Sequence, residues 1–143
     1  MRRNLRPEEL GDLLQLPLNA VIAIHRRDGS VLQTPVWHEW TANGFRFYIP
    51  AGDRKISLLR NDPRISLVVA DSAYPFRTMQ VAGTARVTSD GFRQIARGIA
   101  ARYVAAHDPH TPVEEYIGPE DGVVVEISAS TTRAWDYADA LYA

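Results

Sequence analysis

Asp53-Arg54-Lys55 sets a helix-capping carboxylate beside two adjacent cations, one of them the single lysine among sixteen Lys and Arg residues. A helix start presents unpaired backbone N–H groups and a partial positive charge, so cations in its first turn cost roughly 0.3–1 kcal/mol each. A bound phosphate reverses that sign, because the N–H groups, Arg54 and Lys55 then converge on one anion. Anion binding is therefore the chemistry these residues suit. The competing reading bends both side chains into water, the usual fate of exposed charges. Asp53, as a capping carboxylate, already satisfies part of the dipole.

Other reactive groupings are sparse. The chain has no cysteine, which removes disulfides, thiolate metal sites and thiol catalysis, and no G-x-S-x-G segment that would carry a serine nucleophile. His107-Asp108-Pro109-His110 has the look of a metal pair. Pro109 prevents a regular helix there and no third ligand follows at short spacing, so a solvated loop is expected and no metal. His25 and His38 fall on separate strands and read as polar positions in the sheet, while Asp136 and Asp139 read as a solvated tail.

The elements that position these residues follow from turn chemistry and periodicity. Pro7-Glu8-Glu9 before Leu10, Leu13 and Leu14 predicts a short helix with Pro in its first turn. Residues 19–25 (NAVIAIH) form an apolar strand, Asp28-Gly29 a hairpin turn, residues 31–40 (VLQTPVWHEW) a second strand and Asn43-Gly44 another turn. In GFRFYI, Phe45, Phe47 and Ile49 alternate with Arg46 and Tyr48. The Asp53 helix ends at Asn61-Asp62-Pro63, and strands over 65–70 and 77–87 follow. Thr88 or Ser89 is expected to cap a second helix with a stripe of Phe92, Ile95, Ala96, Ile99 and Tyr103. Residues 122–128 make a last central strand, continuing in bent form towards Trp135. Trp37 and Trp40 have opposite parity, which sends one to the core and the other to a groove or an interface.

Hairpin-joined short strands with two or three helices predict an α+β fold in which an antiparallel sheet closes on itself and so removes exposed edges. The order is not that of a Rossmann domain, and no dinucleotide glycine fingerprint is present. The length of 143 residues suits one domain, 1–143, and 45% hydrophobic with 23% charged residues describes a soluble globular chain. A net charge of −1 gives no sign of a nucleic-acid or membrane partner. The opening MRRNLRPEELGDLL turns acidic before any apolar run develops; it reads as neither a signal peptide nor a spanning helix, and a cytoplasmic protein is expected.

TPVW, an Asn-Gly turn, FRFYIP, then RK-x-x-x-L closed by NDPR together resemble the split β-barrel flavin-binding family. That family includes the pyridoxamine 5′-phosphate oxidases and the deazaflavin (coenzyme F-420)-dependent oxidoreductases, and the likeness runs from about Ala20 to Val87, resuming weakly at the last strand. The resemblance implies an antiparallel split barrel that forms a homodimer, with the cofactor in a groove between subunits. It implies that Arg54 and Lys55 hold the cofactor phosphate, that Ile49 and Pro50 pass beside the ring system, and that Val36 and Trp37 line the groove. Arg77 and Thr78 match positions that approach the ring or its phosphate, and Trp135 closes the site from the other subunit.

Where the oxidases carry further basic residues on the second strand, this chain has Thr34 and Glu39. TPVW there is more typical of the deazaflavin branch, so F-420 is expected over FMN; haem binders and cofactorless relatives share the barrel. The implied activity is hydride transfer from reduced F-420 to a small conjugated organic substrate. Alternatives are a carrier that binds flavin, deazaflavin or haem without turnover, and an FMN-dependent oxidase. Such chemistry belongs to the cofactor and needs no triad. Tyr48, Tyr74 and His38 are the candidates for a proton donor, with an ordered solvent molecule serving equally, and no catalytic residue is assigned. The loops 73–76 and 107–116 are where substrate specificity is expected.

Overall fold

The computed structural model of the chain describes residues 1–138. Two short 3-10 helices, Pro7–Leu10 and Leu13–Gln15, precede strands β1 (Ala20–His25), β2 (Val31–Val36), β3 (His38–Thr41) and β4 (Gly44–Ile49). Helix α1 (Arg54–Asn61), β5 (Arg64–Ala70), β6 (Thr78–Thr88), helix α2 (Phe92–His107), a 3-10 turn at Val113–Tyr116 and β7 (Val123–Trp135) complete it.

All seven strands pair antiparallel in the order β2-β1-β5-β6-β7-β4-β3. The two ends of that order, β2 and β3, are consecutive in the chain and separated only by Trp37. One stretch therefore leaves β1 at Val36, opposite Ala20, and joins β4 at His38, opposite Phe47. This curls the sheet into an antiparallel split barrel as expected, but among the described residues it does not close fully: β2 and β3 are not paired with each other and remain its two edges. The single strand expected over 31–40 is broken at Trp37 because its two halves serve different partners.

Alternation decides what each face meets. Ile22, Ile24, Phe45, Phe47, Ile49, Leu67, Val69, Val81 and Val125 point into the barrel, where Leu58 and Leu59 of α1 and Leu10, Leu13 and Leu14 join them. Each such side chain contributes roughly 1.5–3 kcal/mol by leaving water. Tyr48 and Val124 point the other way and are covered by Phe92, Ala96, Ile99, Ala100 and Tyr103 of α2. β4 is thus buried on both faces. Trp40 packs with the barrel core and Trp37 with the α2 layer, the split their parity requires.

Two glycines mark close backbone approaches. A Cβ at Gly83 would lie 2.0 Å from the Ser128 carbonyl oxygen, beside the register shift at Ala82/Gly83 between β6 and β7. One at Gly122 would lie 2.0 Å from the Ile49 carbonyl oxygen, which fixes the end of β4 against the start of β7.

Two local expectations need correction. Helix α2 starts after Gly91, at φ +68°, with no side-chain cap. Thr88 Oγ1 instead accepts from the Asp90 N–H at 3.1 Å, because a turn intervenes between strand and helix. Asp136 is not a solvated tail: it is buried, ion-paired with Arg2, and bridged to it through the backbone. Asp139 lies outside the described residues. No helix among the described residues is long and apolar enough to cross a membrane.

Candidate functional site

Where the sheet changes partners at Trp37, a groove opens on the surface. It is lined by Asn19, Pro35, Val36 and Trp37 at the seam, Tyr48, Ile49 and Pro50 at the end of β4, Lys55 on α1, and Tyr116, with a volume of about 230 Å³. Its walls are apolar and aromatic, and Lys55 is its one cation. Larger depressions exist, one of about 760 Å³, but that one is lined by arginines, small polar residues and turn backbone. A flat ligand with one anionic group suits the first better.

The structure separates the two cations of the opening motif. Asp53 caps α1: Oδ1 accepts the Lys55 backbone N–H at 2.8 Å, while Oδ2 takes the Lys55 Nζ at 2.7 Å. Partial burial pushes the Asp53 carboxyl up, but the side-chain and backbone hydrogen bonds from Lys55 outweigh it and hold the carboxyl below its ordinary range. Lys55 therefore tolerates the helix start because its charge is offset by the cap. Its side chain is only 17% exposed and edges the groove. Arg54 is exposed and lines other depressions.

Of the residues expected at a cofactor, the structure brings Val36, Trp37, Ile49, Pro50 and Lys55 together. Arg77, Thr78 and Trp135 lie elsewhere. Thr78 pairs with Trp135 across β6 and β7. The Arg77 guanidinium donates to Asp71 Oδ2 at 2.8 Å, Asp12 Oδ1 at 2.6 Å and the Leu10 carbonyl at 2.8 Å, tying the N-terminal turns to the β5–β6 loop. Its hydrogen bonds to Asp71 and then to Asp12 raise its pKa further.

Sequence reasoning missed Tyr116 as a wall, although the loop that carries it was singled out. Its ring lies 4.8 Å from that of Trp37, whose indole also stacks on Tyr103 at 4.8 Å with 8° between planes. The Tyr116 hydroxyl donates to Asp108 Oδ2 at 2.5 Å. Only the packing of α2 brings these three rings together; their spacing along the chain carries no signal.

The proton-donor candidates are all engaged or enclosed. Tyr48 donates to the Tyr116 carbonyl at 2.9 Å, and burial, then Tyr103 and Tyr116, pushes its pKa up to about 12. Tyr74 donates to the Ala138 carbonyl, away from the groove. His38 is fully buried beside Phe45 and Tyr103, and neither ring nitrogen has a hydrogen-bond partner among the described residues. Burial, then the Arg102 charge, lowers its pKa to about 4, so it is neutral near pH 7.

The family model described as pyridoxamine 5′-phosphate oxidase matches residues 7–136. Among solved structures, a conserved hypothetical protein from Mycobacterium tuberculosis is similar at 20% identity, with a TM-score of 0.72 over 95% of this chain and 88% of that one. An F-420 reductase is similar at 23% identity, with a TM-score of 0.71 over 89% of this chain and 98% of that one. An FAD-binding protein from Mesorhizobium loti is similar at 17% identity, with a TM-score of 0.64 over 94% and 97%. At such identities the likeness shows the fold. Among curated proteins none matches the sequence.

Proposed function

The chain belongs to the pyridoxamine 5′-phosphate oxidase family, and from that footing we propose that it is an F-420-dependent oxidoreductase acting on a small conjugated organic substrate. The observation that carries the reading is the groove at the Trp37 seam, aromatic and apolar along its walls with Lys55 as its single cation. The fit is that of a flat ring system with a phosphate: Trp37, Ile49, Pro50 and Tyr116 flank the ring, and Lys55 holds the anion. The bound reduced deazaflavin would supply the hydride. The chain's part is to orient the ring, exclude water from one face and leave solvent access for the proton.

F-420 is favoured over FMN by what stands on β3, the second half of the stretch read from the sequence as one strand. Glu39 is ion-paired with Arg46, so that position adds no positive charge for a phosphate. An F-420 reductase of the same fold supports the choice. The groove, at about 230 Å³, is smaller than the roughly 300–1,000 Å³ of ordinary ligand pockets. A second copy of the chain would supply the missing wall, and Trp135 is the residue the resemblance assigns to that task.

The test is a fluorescence titration with F-420 and, in parallel, FMN, followed by turnover with reduced F-420. Saturable F-420 binding with turnover is expected. Binding without turnover would make the protein a carrier. Preference for FMN would move it to the oxidase side, and binding of neither would sink the reading.

A further inference from the structure

On the reading of the groove as a ring site, we propose that Asp108 is a positioning residue for it. Acting through the Tyr116 hydroxyl, the Asp108 carboxylate fixes the aromatic wall on which the ligand's ring lies.

Asp108 stands where its own helix gains nothing from it. It closes α2, its N–H donating to the Val104 carbonyl at 2.9 Å. That end of a helix carries partial negative charge, so a carboxylate there is disfavoured. The side chain reaches instead across the loop, eight residues on, to the Tyr116 hydroxyl at 2.5 Å. That bond holds the Asp108 carboxyl below its ordinary range and pushes the Tyr116 phenol up. At neutral pH the carboxylate accepts and the phenol keeps its proton.

The backbone around Tyr116 is anchored without Asp108. Ile117 is fully buried in the α2 layer, Tyr48 donates to the Tyr116 carbonyl at 2.9 Å, and Arg93 donates to the Gly118 carbonyl at 3.1 Å. Losing the carboxylate frees the ring, not the chain that carries it. That ring is half-buried and tilted at 38° to the Trp37 indole, whereas Tyr103 stacks on the same indole at 8°. A tilted contact alone lets the ring turn, so the tether at its hydroxyl sets its plane. A wall ring fixed before binding spares the ligand the cost of ordering it. Such a wall favours a flat conjugated ring over a bulky or flexible ligand.

Fluorescence titrations with F-420 and with phosphate-free 5-deazariboflavin test this. Asp108→Ala should weaken both by the same factor, about two- to tenfold, the range for ordering one side chain. Tyr116→Phe should do the same, and the double variant should lose no more than either alone. Asp108→Asn keeps an acceptor for the hydroxyl and should restore binding. In the ligand-free protein, Asp108→Ala should alter the near-ultraviolet circular dichroism of the aromatic rings while the far-ultraviolet spectrum holds. Failure of the wild type to bind either ligand would remove the ring-site reading itself, and this role with it. Wild-type binding with unchanged affinity in Asp108→Ala, additive losses in the double variant, or no rescue by Asp108→Asn would overturn the role of Asp108 and leave the groove as read.

Discussion

The indole of Trp37 lies nearly parallel to the ring of Tyr103, 4.8 Å away, so the residue at which the sheet changes partners is clamped by α2. The Tyr103 hydroxyl completes the clamp, donating to the Leu18 carbonyl at 2.6 Å and accepting the His38 backbone N–H at 3.1 Å. One buried phenol thus holds the approach to β1, the start of β3 and the groove wall together.

Tyr103→Phe keeps the stack and deletes both hydrogen bonds. Leaving buried backbone groups unpaired costs about 1–3 kcal/mol. Urea denaturation should show that loss as a lower midpoint with an unchanged slope, and an unchanged midpoint would show that the hydroxyl holds nothing.

His38 predicts an acid-sensitive fold. Its pKa falls from 6.5 in the unfolded chain to about 4 in the folded one, through burial and then Arg102. The unfolded chain therefore binds the proton more readily. Stability is complete above pH 6.5 and declines as pH falls towards about 4, by about 3 kcal/mol from this group. Below that pH the group adds no further loss. His38→Leu should flatten this part of the curve in denaturation measured between pH 4 and 7, and a variant curve parallel to the wild type would remove His38 as the cause.

Lys55→Ala should weaken F-420 binding about ten- to a hundredfold, the scale of a lost charge-assisted hydrogen bond of about 1.5–3 kcal/mol. Asp53→Asn still caps α1 but releases Lys55 from its ion pair. Its affinity for F-420 should hold or rise. Parallel titrations check both, and equal losses in the two variants would mean that the helix start, not the ammonium, sets the affinity.

A shared groove requires a dimer. Light scattering on dilute protein should give twice the chain mass, and Trp135→Ala should weaken F-420 binding without unfolding the chain. A clean monomer that still binds F-420 tightly would show that one copy suffices.

Gly122→Ala would place a Cβ 2.0 Å from the Ile49 carbonyl oxygen, against backbone that cannot swing away. A loss of several kcal/mol is expected, on the order of an overpacked core, together with loss of ligand binding. Thermal melting and titration of the same sample would check both.

Much of this architecture is legible in the residues themselves. Asp28-Gly29 and Asn43-Gly44 mark hairpin turns that the structure contains, and Asp53 caps the helix it announces. The break at Trp37 is hidden because inward residues continue at Val36, His38 and Trp40 on either side of it, so the alternation never falters. Arg77 could not be placed because Asp12 lies 65 residues away in the chain. Tyr116 reaches the groove only through the return path after α2. Local signals specify turns and caps; which distant side chain claims a given cation is settled by packing.

The seam has a bearing on how copies of the chain avoid one another. Among the described residues, β2 and β3 each keep one side without a strand neighbour, the kind of edge along which sheets fuse into aggregates. Pro35 stands on β2 two residues before the seam and has no N–H to offer an incoming strand. The proline that walls the groove thus also interrupts the template beside it. Replacing it would be felt first as edge-to-edge polymerisation during expression, before any change in the folded protein's stability became visible.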